Sequence, residues 1–299
     1  MALAAVGREL GLTWGFVRYD VSSTVVPATL GMVAAARVEG GVRPSTLVLG
    51  ALYFLLYVYT FAVSNQIIGV EEDRRNKPDR PLPAGLVALR GAWGRWLLAM
   101  VLFPALGAAL GVGAWAVLWQ VCFCLYNFGG FARHWATKSL IMGVGLVTQL
   151  AAAWGIVGPV PGIAWQWISG LAVVAFVLCN IQDLRDVAGD RTLRRRTLPI
   201  VYGMRRTCLA LAGLFAVGLP LLTHAWLFAP LPCGVVELAC LVVLDGLSLL
   251  IAARLVIAAR RVLAARLVLD RRPSALHRTY MLFTYWYCLA LASACLVLP

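Results

Sequence analysis

Seven of the chain's thirteen acidic residues lie in two short stretches, Glu71, Glu72, Asp73 and Asp79, then Asp183, Asp186 and Asp190, each at the polar end of a long apolar run. Carboxylates this crowded resist ionising together unless a cation compensates them. Hard oxygen ligands in pairs suit Mg²⁺ that bridges to the phosphates of a substrate. With arginines and one lysine interleaved, these residue types point to an enzyme that acts on a lipid diphosphate at a membrane.

The first stretch runs from Asn65 to Gly85. If the apolar helix before it continues, about 100° per residue brings Asn65, Gly69, Glu72, Asp73 and Asn76 to one face and turns Glu71 away. Pro78, Pro81, Pro83 and Gly85 then end the helix in an ordered loop that carries Lys77 and Arg80. The second stretch repeats the plan. Asp183, Asp186 and Asp190, spaced i, i+3, i+7, share a face, and Arg191, Arg194, Arg195 and Arg196 follow before Leu198 and Pro199. Asn65 and Asn180 open the two stretches 115 residues apart. A repeat of this kind, with halves of about 1–136 and 137–299 inside one domain spanning 1–299, puts the site where the halves meet.

The elements that must position these groups are membrane helices. Hydrophobic residues make up 62% of the chain and charged ones 13%, with a mean hydropathy of +0.84, far outside the soluble globular range. Runs long enough to span ~30 Å of hydrocarbon fall at 12–36, 45–69, 94–110, 112–130, 139–158, 162–182, 207–228, 233–253 and 279–298. The expectation is an all-α membrane protein of nine helices. With the N-terminus and the acidic loops cytoplasmic, only Arg37 and Arg43 lie outside and the other 24 basic residues lie on the opposite side, as charge bias at membranes requires.

That bias accounts for the net charge of +13 and for affinity toward anionic membrane lipids, without any nucleic-acid partner. The start of the chain, with Arg8 and Glu9 ahead of a long helix, does not read as a cleaved signal peptide. Eight cysteines are present without a CxxC and with only three histidines in the chain, and most of them (Cys122, Cys124, Cys179, Cys208, Cys240, Cys288 and Cys295) lie in or at the edge of apolar runs and read as small buried hydrophobes, not as metal ligands or disulfides.

The order Asn76-Lys77-Pro78-Asp79-Arg80-Pro81-Leu82-Pro83-Ala84-Gly85, together with Gln182-Asp183-xx-Asp186-xx-Gly189-Asp190, resembles the two aspartate-rich motifs of the UbiA superfamily of intramembrane prenyltransferases. The likeness covers essentially the whole chain. It implies nine helices bundled around a central cavity, with the motifs after helices two and six. It also implies that Asn65, Asp73, Asp183 and Asp190 hold Mg²⁺, and that Lys77, Arg80, Lys138 and Arg191 grip the diphosphate of a linear prenyl substrate. Asp186 belongs to the same motif. The first motif departs from the family pattern Asn-Asp-xx-Asp-xxx-Asp: Gln66 and Gly69 stand where two acids are expected, and Glu72 beside Asp73 is the candidate replacement.

The variant spellings, with Asp20 and Pro27 in the first helix, are similar to the terpene cyclases of this superfamily. Both activities begin by ionising the diphosphate inside an apolar cavity. A transferase then supplies an acceptor, usually an aromatic ring, whereas a cyclase lets the cation attack its own double bonds. Aromatic faces stabilise a migrating cation by about 0.5–2 kcal/mol each when desolvated, and Tyr57, Phe61, Trp119, Tyr126, Tyr280, Phe283 and Tyr287 are the candidates. Asp20, an intramembrane carboxylate, is expected to be functional or paired with Arg18.

The reading is therefore a Mg²⁺-dependent terpene cyclase, with acceptor prenylation as the alternative and no obligate protein partner. A transporter built on an inverted repeat would carry its polar groups near mid-membrane instead.

Overall fold

Proline and glycine set most of the boundaries between helices. Pro44 opens α3 (Pro44–Ile68), where its missing N–H costs nothing. Gly111, Gly130 and Gly203 occupy the left-handed region, with φ of +75°, +78° and +85°, at turns where a side chain would be strained. The computed structural model describes residues 2–263 and 274–299. Apart from an isolated bridge between His134 and Arg196, the described residues form helices and turns.

The first expected span, 12–36, is broken. α1 (Ala2–Val17) ends before Arg18, a short 3₁₀ turn covers Val21–Ser23, and α2 (Val25–Val38) begins anew. Pro27 explains the break, because inside a continuous helix its ring would clash with the carbonyl of Ser23. Asp20 consequently sits at the junction of two helices and not within one.

The remaining helices are α4 (Val70–Asn76), α5 (Leu89–Ala109), α6 (Gly113–Asn127), α7 (Trp135–Val157), α8 (Gly162–Leu178), α9 (Asp183–Thr192), α10 (Leu198–Val201), α11 (Met204–Gly213), α12 (Leu219–Leu222), α13 (Val235–Leu263) and α14 (Ser274–Val297). α11 and α12 form one rod with the wider π turns Leu214–Gly218 and Thr223–Phe228. Eight helical segments among the described residues are long and apolar enough to cross a membrane. α6 is the ninth member of the bundle, but its 15 residues rise only about 22 Å.

Packing closes these helices into a ring. α2 touches α3, α7 and α14; α3 packs on α5, α5 on α6, α6 on α7 and α7 on α8. α8 meets the π turn Thr223–Phe228, and α11, α13 and α14 complete the circuit. The buried apolar side chains form two clusters, one around Tyr53, Phe54, Phe103 and Phe123, the other around Trp167, Leu171, Phe215 and Trp286. Outward-facing residues such as Leu97, Leu98, Val101 and Val242 are more than half exposed, a surface suited to hydrocarbon.

Candidate active site

The ring encloses a cavity of about 780 Å³, within the size range of small-molecule sites. One end is polar and is built where α4, α7 and α9 converge. α4 carries the first acidic stretch. The helix does not run straight into it, because Gly69 (φ −95°, ψ 15°) separates α3 from α4. The Gly69 N–H still bonds the Asn65 carbonyl at 2.8 Å, and the Asp73 N–H bonds Gly69 at 2.8 Å, so the helical phase is nearly kept. Asn65, Gly69, Glu72 and Asp73 therefore line the cavity, whereas Glu71 is exposed and pairs with Arg74 at 2.6 Å. The side chain of Asn76 lies outside the described ones.

Each acid of the two motifs in or behind the cavity wall meets a cation. Asp73 accepts from buried Arg80 at 2.7 Å. Asp183, fully buried, accepts from Lys138. Arg195 bridges the two stretches, reaching Asp190 at 3.1 Å and Glu72 at 3.3 Å. Asp186 stands 3.3 Å from Arg185, whose guanidinium lies 4.3 Å over the ring of Tyr280 and bonds His277. Lys77 and Arg133 also line the cavity and have no acid partner among the described residues. Burial raises the Glu72 carboxyl above the usual carboxylate range even though Arg195 opposes it, and burial lowers the Lys77 ammonium.

The structure revises three sequence expectations. Arg191 is exposed and outside the cavity. α9 ends at Thr192, Arg194 takes a left-handed conformation (φ 52°), and the Arg195 N–H returns to the Asp190 carbonyl at 2.9 Å. That reversal carries Arg195, not Arg191, to the acids. Asp183 and Asp190 lie one layer behind the cavity wall and reach it through Lys138 and Arg195. Within α9, at about 100° per residue, Asp183 and Asp190 lie about 20° apart and Asp186 about 60° from Asp183, so the first two turn to Lys138 and Arg195 while Asp186 alone of the three lines the cavity. Arg18 pairs with Asp79, not Asp20, and Tyr19 donates to the same carboxylate.

The apolar end is aromatic. Tyr57, Phe61, Trp119, Phe283 and Tyr287 line it, whereas Tyr126, Tyr280 under the Arg185 guanidinium, and Asp20, whose charged neighbours include Arg80 and Lys77, line the cavity toward the polar end. Tyr57 and Trp119 stack at 4.7 Å with rings 2° from parallel, and the Tyr57 hydroxyl donates to the Gly145 carbonyl at 2.7 Å. A Cβ at Gly145 would approach the Trp119 ring to 2.5 Å, so only glycine leaves that stack intact.

The family model for UbiA prenyltransferases matches residues 24–284. The chain belongs to the UbiA prenyltransferase family. Three curated relatives agree. A somaliensene A/B synthase of Streptomyces somaliensis is 44% identical over 97% of this chain and 93% of its own. A diterpene cyclase of Hericium erinaceus is 35% identical over 97% and 89%, and a polyprenyl transferase of the same organism is 30% identical over 96% and 95%. Among solved structures, a UbiA homologue from Archaeoglobus fulgidus bound to GPP and Mg²⁺ aligns with a TM-score of 0.65 at 16% identity, covering 95% of this chain and 99% of that one. The protein is an integral, multi-pass membrane enzyme of the terpene synthase or prenyltransferase kind.

The structure also brings to the site residues that the sequence did not single out. Asn127 accepts from Asn65 Nδ2 at 3.1 Å and donates to Ser64 at 2.8 Å, which leaves the side-chain Oδ1 of Asn65 as an acceptor without a hydrogen bond from the described residues. Its signal was a polar residue at the end of the apolar α6 run. Arg195 was one of four neighbouring arginines that spacing could not separate.

A divalent cation suits this donor set. The acids offer hard oxygens, and the Oδ2 atoms of Asp183 and Asp190 are buried without a hydrogen-bond partner. No three acidic, His or Cys side chains among the described residues converge on one point, so such an ion would share its coordination with substrate oxygens.

Proposed function

We propose that this enzyme ionises a linear prenyl diphosphate and cyclises the resulting cation to a terpene. The observation that carries the reading is that one cavity joins a polar, acid-and-cation end to a chamber lined by aromatic faces. The relatives named as a synthase and a cyclase support it, and the GPP and Mg²⁺ of the Archaeoglobus structure support a prenyl diphosphate and a divalent cation here.

Asn65, Glu72, Asp73, Asp183 and Asp190 would hold Mg²⁺, with Asp186 at the cavity wall. When bound, the ion neutralises the charge that develops on the departing diphosphate. Lys77 and Arg133, without acid partners among the described residues, would meet the diphosphate, and Arg80, Lys138 and Arg195, each bonded to an acid of the set, would stand beside it. Beyond the polar end, the aromatic faces hold the cation and exclude water. Membrane lipid supplies the route for an apolar substrate, and the polar end faces the cytoplasm on the charge bias of the loops.

The test is incubation of purified protein and Mg²⁺ with linear diphosphates of increasing length and no acceptor. A cyclic hydrocarbon or alcohol, released with diphosphate, is expected. Turnover only when 4-hydroxybenzoate, homogentisate or another acceptor is present would establish acceptor prenylation instead, the activity of the polyprenyl transferase relative.

Lys77 supplies a pH test. Its lowered pKa means that its charge is lost, as pH rises, earlier than for an exposed lysine. KM for the diphosphate is expected to climb in the alkaline range, and Lys77→Arg, whose guanidinium stays charged, is expected to flatten that limb. Identical alkaline limbs would remove Lys77 from phosphate binding.

A further inference from the structure

The face of α7 that borders the cavity runs Lys138, Met142, Gly145, Leu146 and Gln149, from a cation at the polar end to an amide eleven residues along, about 16 Å deeper at 1.5 Å per residue. Gln149 is buried among apolar and aromatic neighbours, yet its side chain borders the cavity. A polar group in such a place must be held by hydrogen bonds. Gln149 Nε2 donates to the Thr24 carbonyl at 2.6 Å, and the Tyr287 hydroxyl lies 3.2 Å from Gln149 Oε1.

The Thr24 carbonyl can only accept, so the amide's NH₂ must face it, and Oε1 must face Tyr287, which then donates. The orientation of the amide dipole is thus fixed from both ends by α2 and α14. One lone pair of Oε1 remains, since an amide oxygen accepts twice and the described residues supply one donor.

We propose that Gln149 is the specificity-determining residue of the deep chamber: its clamped Oε1 stabilises positive charge at one place in the folded substrate and so selects where cyclisation stops. A preoriented dipole in a dry site acts on developing charge without reorganising, and the aromatic faces around it cannot make that selection alone because they line several sides of the chamber. Tyr287 is a positioning residue that acts through Gln149. The proposal rests on the cyclase reading.

The test uses the full-length enzyme with Mg²⁺ and the linear diphosphate that wild type converts fastest without acceptor, reading diphosphate release and product composition together. Gln149→Leu removes the dipole at similar size, and Tyr287→Phe removes the clamp while keeping the ring. For Gln149→Leu the share of the major product is expected to fall about tenfold while diphosphate release falls less than about threefold; Tyr287→Phe is expected to shift composition the same way by a smaller factor. Acceptor-free turnover with wild-type product proportions in Tyr287→Phe and in whatever Gln149→Leu protein folds overturns this proposal alone. Diphosphate release by wild type only with an acceptor overturns the cyclase reading, and this proposal with it.

Discussion

Asp183→Asn is expected to abolish turnover, by about a thousandfold or more, the scale of losing a preorganised electrostatic group at a charged leaving group. Asp183 is fully buried and bonded to Lys138. Its second oxygen has no hydrogen-bond partner among the described residues, which fits a ligand for a cation better than a structural ion pair. The same change leaves the Lys138 ammonium buried without its counter-charge, a loss of about 3–5 kcal/mol in folding stability. One variant would therefore confound the two effects.

The pair Asp183→Asn with Lys138→Met separates them, because replacing both members of a buried pair is often neutral for stability. Thermal unfolding in detergent is expected to return toward wild type in the double variant while activity stays lost. An active double variant would remove Asp183 from the site and reduce the pair to scaffolding.

The bundle was legible in the sequence because hydrocarbon imposes a simple rule: each crossing is a long apolar helix, and the basic loops sort to one side. The rule fails where chemistry intrudes. α1 and α2 read as one helix because both are apolar, and only Pro27 hinted at the break that puts Asp20 at a junction. In the first motif, periodicity separated Glu72 from Glu71 because Gly69 bends the backbone without losing the helical phase.

In the second motif α9 keeps the three acids within about 60° of one another, but periodicity does not show that Lys138 and Arg195 cover Asp183 and Asp190 while Asp186 borders the cavity. Arg195 was hidden for a related reason. Arg194 adopts a positive φ without being glycine, so no residue type marked the turn that brings Arg195 back to Asp190. Gln149 and Asn127 are among a few polar residues in largely apolar helices, and only the three-dimensional closure of the ring shows that one faces the chamber and the other steadies Asn65.

Gly69→Asp, which restores the acid of the family pattern, is expected to reduce kcat/KM by about a hundredfold, on the order of 2.7 kcal/mol. A Cβ at Gly69 would stand 3.9 Å from Glu72 Oε2, so the Glu72 carboxylate already occupies the space that an acid at position 69 would claim. Two like charges at that range repel by about 4 kcal/mol at an effective dielectric of ~20, and Arg195 already serves both Glu72 and Asp190.

The same Cβ would also press on the Asn65 carbonyl at 3.0 Å. Gly69→Asn carries that crowding without the charge and is expected to lose less. Gly69→Asp combined with Glu72→Gln keeps one carboxylate in the shared space and is expected to recover about tenfold over Gly69→Asp alone. Glu72→Gln by itself should cost far more than Glu71→Gln, whose side chain points to solvent. With 4-hydroxybenzoate or homogentisate added, none of these variants is expected to gain prenylation of the acceptor, because on the cyclase reading the aromatic chamber they leave unchanged denies the cation an external nucleophile. Equal losses in Gly69→Asn and Gly69→Asp would make the effect purely steric and leave Glu72 without its place in the metal-binding set.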